Sequence, residues 1–251
     1  MQLFTGIYEQ IINKVIANEL NEVDANENII TKSAIDSAEA QHILSEYLGQ
    51  IIEKGLIRIR EQYKENSKEA QINACNEIIA KLSELSNSED VLDWKIGSEG
   101  QYLLAILHKT QQQLKDKRPT TSLSISTLFT GSKLEPSMVN ELKREIATAD
   151  RIDMLVSFIK WSGLRLIINE LTEFTKEHKL RIITTSYMGA TDPKALEELA
   201  HLQNTEIKIS YNTKRTRLHA KAYMFYRNSG FSTAYIGSSN LSSAAIGEGK
   251  A

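Results

Sequence analysis

Within RLHAKAYMFYRNSGFSTAYIGSSNLSSAA, residues 217–245, His219 and Lys221 stand two positions apart, and Gly237-Ser238-Ser239-Asn240 follows them. Residues two apart on an extended strand point to the same face, so an imidazole and an ammonium share one side, with Ala220 and Ala222 on the other. Gly permits close backbone approach, Ser and Asn supply neutral donors, and the start of a helix favours negative charge. Together these groups would suit one tetrahedral anion, such as a phosphate. His-x-Lys alone also fits an ordinary strand whose Lys reaches solvent along its aliphatic stem. The Gly-Ser-Ser-Asn turn, a hairpin's distance away, makes the phosphate site the better account.

The flanking sequence supplies elements to position these groups. RIDMLVSFI (151–159), LRIITTS (180–186), EIKISY (206–211), LHAKAYMFYR and STAYIGS read as strands. Helices are expected in GLRLIINELTEFTKEH, in PKALEELAHLQ with Asp192 as N-cap and Pro193 in the first turn, and from SNLSSAAI onward. Strand–helix alternation implies an α/β layer with a mixed, mainly parallel sheet, closed by a hairpin turning at NSGF. At the strand ends, Lys160, Trp161, Thr184, Thr185 and Ser186 are candidates to line a pocket, with Trp161 more readily explained as packing. Arg215 and Arg217 are candidate backbone contacts for nucleic acid.

The first third reads as a helical bundle. IYEQIINKVIANEL, AEAQHILSEYLGQIIEKGLIRIREQY and KEAQINACNEIIAKLSEL carry apolar residues at steps of three and four, and QYLLAILHKTQQQL is expected to form a fourth helix. Asp36 and Glu39 have capping-box spacing. His42, His108 and His178 fall in helical stretches without matching ligand partners. LKDKRPTTS (114–122) marks a boundary, giving a helical domain over 1–118 and an α/β domain over 119–251.

Composition narrows the function classes. The 251 residues include a single cysteine, Cys75, which excludes an intrachain disulfide framework and a Cys-based zinc site. No apolar run approaches the roughly 18–20 residues that span a bilayer, and MQLFTGIYEQ does not resemble an export signal, so no membrane partner and a cytoplasmic location are expected. The net charge of −2 is unevenly distributed: residues 1–118 carry 13 Lys/Arg against 19 Asp/Glu, and residues 119–251 carry 17 against 13. Ile207 to Gly247 contains no acid but holds Lys208, Lys214, Arg215, Arg217, Lys221 and Arg227. Such a window fits a partner bearing phosphates, or a solvated basic face.

His219-Ala-Lys221 followed by Gly237-Ser-Ser-Asn240 resembles the His-x-Lys…Gly-Ser-x-Asn signature of the phospholipase D-like superfamily. The resemblance implies His219 as nucleophile or general acid, Lys221 and Asn240 as phosphate ligands, and Ser239 with Ser238 as further donors. It implies covalent phosphohistidine chemistry with no metal or other cofactor. The family builds one site from two motifs, and this chain carries one, so a homodimer with facing His219 side chains is expected. The acid usually placed five residues after the Lys falls on Tyr226, which leans away from lipases and leaves open a degenerate domain that binds nucleic acid without cutting it, or an interaction module whose acidic N-terminal bundle recruits a protein partner.

SFIKWSGLRLIINEL, RIITTSYMGATDPKALEELA and YNTKRTRLHAKAYMFYR are similar to the phospholipase D-like region near the N-terminus of large bacterial DEAD/DEAH-type helicases. That resemblance implies a nuclease module acting on DNA more than RNA, helicase motor domains as partners, and a domain incomplete at its C-terminus. There is no G-x-x-x-x-G-K-[ST] loop, so these residues are not themselves the motor.

Overall fold

A computed structural model describes residues 3–24, 27–129, 136–212 and 218–247. The chain divides into two compact units, residues 1–103 and 104–251.

The first unit is helical. Asn13 Oδ1 accepts from the amides of Val15 and Ile16, so α1 (Lys14–Asn21) starts there, not at Ile7. Helices α2 (Ala40–Tyr63) and α3 (Ser67–Ser86) pack together, joined by a 3-10 turn. Gln71 Nε2 donates to Leu56 O at 2.9 Å between them. The Asp36–Glu39 capping box does not form: Asp36 accepts from Ala38 N, α2 starts at Ala40, and Glu39 makes no capping bond. Asn87, in the left-handed region at φ 51°, ends α3. Asn76 then clasps the returning chain, accepting from Ile96 N at 2.8 Å and donating to Ile96 O at 2.9 Å.

The fourth helix expected over 101–114 is absent. Residues 101–108 are irregular, and 3-10 turns occupy Lys109–Lys117.

The second unit is a five-stranded sheet ordered β3-β2-β1-β4-β5, comprising β1 (Arg151–Val156), β2 (Lys179–Thr185), β3 (Thr205–Ser210), β4 (Lys221–Tyr226) and β5 (Thr233–Ile236). β1, β2 and β3 are mutually parallel, while β4 runs antiparallel to both β1 and β5, so β4 alone is reversed. Ile152, Met154 and Val156 of β1, Leu180 and Ile182 of β2, and Tyr223 and Phe225 of β4 supply the core face. Leu142 and Ile146 of α4 (Met138–Thr148) join that core.

The segment expected as one helix over 163–178 divides into α5 (Trp161–Leu164) and α6 (Ile168–Phe174), yet Leu164, Ile167 and Leu171 stay fully buried across the break. Each of these side chains contributes about 1.5–3 kcal/mol by burial.

Two buried carboxylates on α4 hold the unit's periphery. Glu141 accepts from the backbone and side chains of Thr120 and Thr121, strapping the Pro-containing stretch to the helix. Glu145 accepts from Arg227 at 2.5 Å, Thr233 Oγ1 at 2.8 Å and the Tyr235 hydroxyl at 3.0 Å. Four residues apart, they lie on one helix face.

On the other face of the sheet, Asp153 binds Arg181. That hydrogen bond, with the charges of Arg181 and Arg151, holds the carboxyl below its ordinary range despite burial. A depressed carboxyl stabilises the fold above its unfolded value of about 3.9 and loses that contribution as pH falls through the folded value. Asp153→Asn is therefore expected to weaken the acid dependence of unfolding below about pH 5. Trp161 fluorescence in a Trp94→Phe background reports it, and an unchanged acid limb would rule the pair out as its source.

Candidate active site

The motif residues gather where β4 begins. Past Val156, the amides of Ser157 and Phe158 turn to different partners: Ser157 N donates to Ala220 O at 3.1 Å, and Phe158 N to Asn240 Oδ1 at 3.1 Å. Consecutive peptide groups thus tie the His-x-Lys segment and Asn240 to one stretch of backbone. The chain leaves β5 through Gly237, whose N–H bonds Lys221 O, and crosses the end of β4 to reach a parallel bridge between Leu241 and Ile159. The buried Tyr223 hydroxyl donates to Ser239 O at 2.9 Å, and burial pushes that phenol's pKa upward. Tyr223 shares a strand face with Lys221, so the Gly-Ser-Ser-Asn loop is anchored on that side.

Lys221 is buried. It is 5% exposed, its Nζ donates to His219 O at 2.9 Å, and no carboxylate pairs with it among the described residues. An ammonium retains further donors after one bond, and burying it without a counter-charge is costly. His219 lies just before β4 and is exposed, as is Ser238, while Ser239 and Asn240 are half-buried. Because Asn240 Oδ1 accepts from Phe158, its NH2 group is the end left to meet a ligand. The arrangement combines an accessible imidazole, a buried cation and oriented amide donors, as binding and transfer of an anionic group require.

Other sequence candidates sit differently. The Lys160 amide donates to Leu241 O at 2.8 Å, but its Nζ pairs with Asp192 Oδ1 at 3.1 Å. Asp192 Oδ2 accepts from Trp161 N, so Asp192's side chain caps α5 although its backbone begins α7 (Pro193–Ala200). These bonds, Trp161 first and Lys160 second, lower the Asp192 pKa. Thr184 is fully buried, donates to Ser157 O at 3.1 Å and supports the floor of the site. Thr185 and Ser186 bond Ser210 O. Trp161 packs on the core, with Lys194 Nζ 4.5 Å from its ring centroid.

Lys214, Arg215 and Arg217 lie outside the described residues. Elsewhere in the basic window, Arg227 is committed to Glu145 inside the fold, and Lys208 to Glu206 at 3.2 Å. Tyr226 occupies the far end of β4 under the Arg151 guanidinium, away from Lys221.

The helix after Asn240 starts later than its sequence suggests. Gly237 and Ser238 form a bend, Ser239 and Asn240 are irregular, Leu241 is bridged, and α8 covers Ser243–Ile246.

Residues 136–250 match the family model described as the NgoFVII restriction endonuclease N-terminal PLD domain. The domain belongs to the phospholipase D-like superfamily. No curated protein matches the chain.

Several supports of this phospholipase D-like domain went unnoticed in the sequence: Ser157, Phe158, Tyr223 and Gly163. Phe158 acts through its amide, Ser157 through its amide and its hydroxyl, and Tyr223 reads as core, so none stands out as a residue type. Gly163 does stand out, since it interrupts an apolar helix pattern. A Cβ there would lie 2.4 Å from Ser242 N and 2.5 Å from Leu241 C, so α5 touches the loop backbone directly. Gly163→Ala is expected to displace residues 240–242 and cost about 1–3 kcal/mol by overpacking. Urea unfolding read by Trp161 tests this, and wild-type stability would show that the loop yields freely.

Proposed function

We propose that this chain is a metal-independent phosphodiesterase that cleaves nucleic acid, DNA in preference to RNA, through a phosphohistidine on His219. The observation that carries the reading is Lys221, a buried cation that among the described residues has no carboxylate partner, beside the loop bearing Asn240. The match to a restriction endonuclease domain supports the nucleic-acid class.

Lys221 and Asn240 hold the non-bridging oxygens, with Ser239 and Ser238 as further donors and Arg215 and Arg217 on neighbouring phosphates. The neutral His219 imidazole attacks phosphorus, forming an N–P bond as the P–O bond to the leaving strand breaks. The partner subunit's His219 gives the leaving oxygen its proton, then takes one from the water that hydrolyses the N–P bond. The two-fold dimer follows from the single motif and the superfamily's two-motif site. Attachment to helicase motor domains is the context suggested by the upstream resemblance, and the cytoplasm is its compartment.

A second reading, a domain that binds nucleic acid without cutting it, is favoured by Tyr226 standing where the family has an acid. Incubation with single- and double-stranded DNA and RNA in EDTA separates the readings. Cleavage by the native chain, lost in His219→Ala, supports the enzyme; binding without cleavage favours the alternative. Cutting that needs Mg²⁺ and persists in His219→Ala would refute the proposed chemistry.

A further inference from the structure

We infer that Thr184 is a positioning residue whose buried hydroxyl sets which end of the Asn240 amide faces the candidate site. The path between them is short. Thr184 Oγ1 donates to Ser157 O at 3.1 Å, and Phe158 N donates to Asn240 Oδ1 at 3.1 Å. Ser157 O and Phe158 N–H are the two ends of one planar peptide group, and in a trans peptide they point in opposite directions. Thr184 therefore grips, from the β2 side, the unit that sorts the Asn240 oxygen from its NH2 group on the other side. A turned peptide would offer Asn240 a carbonyl instead of an N–H. A carbonyl accepts from NH2, so the amide oxygen would then face the ligand and repel an anion.

The surroundings leave this task to Thr184. Ser157 O lies past the last paired positions of β1 and β2, Leu155 and Ile183, and among the described residues the Thr184 hydroxyl is its one donor. Thr184 and Ser157 are both fully buried, and an unpaired carbonyl there would be costly. Thr191 Oγ1, 3.3 Å from Thr184 Oγ1, gives its own proton to Thr185 O at 2.9 Å, which leaves the Thr184 proton for Ser157. Ser157 N and Oγ both donate to Ala220 O, at 3.1 and 3.2 Å, between His219 and Lys221. Those groups belong to the preceding peptide and the side chain, so they hold the His-x-Lys segment with or without Thr184. The effect of Thr184 is thus directed at Asn240. Thr175, just as buried, reaches only Thr172 O in its own helical turn. That the Asn240 NH2 meets a phosphate rests on the phosphodiesterase reading, whereas the orientation of the amide does not.

Two measurements test this, and the first is independent of cleavage. In the full chain carrying isotope-labelled asparagine, the Asn240 side-chain NH2 signals in the nuclear magnetic resonance spectrum are those lost in Asn240→Ala. They are expected to move in Thr184→Val, which removes the hydroxyl at nearly constant shape, to return in Thr184→Ser, and to stay in place in Thr175→Val. The second is a mutant cycle on single-turnover cleavage of one oligonucleotide in EDTA. Thr184→Val is expected to slow cleavage about tenfold, the factor that one hydrogen bond carries, and Thr184→Ser to restore it. In an Asn240→Ala background Thr184→Val is expected to change nothing further, because the group it acts through is gone. Additive losses in that background, or Asn240 signals that ignore Thr184→Val, would overturn the inference. A native chain that does not cut in EDTA would refute the phosphodiesterase reading instead, and the same cycle is then read on oligonucleotide affinity.

Discussion

His219→Ala is expected to lower cleavage in EDTA by roughly a thousandfold, mid-range for a positioned acid–base group, while nucleic-acid affinity stays near that of the native chain. In the proposed mechanism the exposed ring is the nucleophile and the buried amine the anion contact, so removing the ring leaves that contact in place. Lys221→Met is expected to impair binding and turnover together, because the proposed site has the ammonium contact the phosphate in both the ground and the transition state. In the proposed mechanism attack requires one neutral imidazole and departure requires one protonated. Activity is therefore expected to trace a bell with pH. Single-turnover rates and equilibrium binding on one oligonucleotide provide the split. Equal losses of affinity in both variants, with no separate loss of turnover for His219→Ala, would assign the histidine to binding.

Glu145→Ala is expected to destabilise the second unit by about 3–5 kcal/mol, the usual cost of stripping one partner from a buried pair. The glutamate side chain is 0% exposed and that of Arg227 is 7% exposed, so water cannot replace the lost carboxylate. Arg227 keeps Thr148 O at 3.2 Å, Thr148 Oγ1 at 2.8 Å and Phe231 O at 3.0 Å, none of them charged. Glu145→Leu combined with Arg227→Met is expected to recover most of the loss, since buried pairs are often replaceable by apolar groups of similar volume. Urea midpoints read by Trp161 in the Trp94→Phe background decide it. A Glu145→Ala loss below about 1 kcal/mol would mean that Arg227 finds water or another acid.

The α/β order was legible because strand and helix periods alternate cleanly from Arg151 onward, and the His-x-Lys and Gly-Ser-x-Asn groups were visible as residue types. The sequence was silent on Lys221's burial, because a lysine in a strand has a stem long enough to escape and only the packing decides otherwise. Arg227 looked like part of a basic surface until the fold brought Glu145, 82 positions away, against it. In the first unit the periodicity of α2 and α3 was sound. The apolar cluster at 103–107 misled because a dense run carries no phase, and Asn13 overrode the apolar pattern before it by capping from within.

The loop that crosses the end of β4 also bears on when the site comes into being. Its defining bonds join residues 63 positions apart for Ser157 with Ala220 and 82 apart for Phe158 with Asn240. No local fragment prefigures such a site, because the entropy of closing those loops must be met before the contacts return anything. During synthesis β1 and β2 can leave the ribosome and pair while Asn240 is still unmade. The groups proposed to hold phosphate are therefore completed only after all five strands have been made, and a chain halted before Gly237 would have the imidazole and the amine with no amide opposite them.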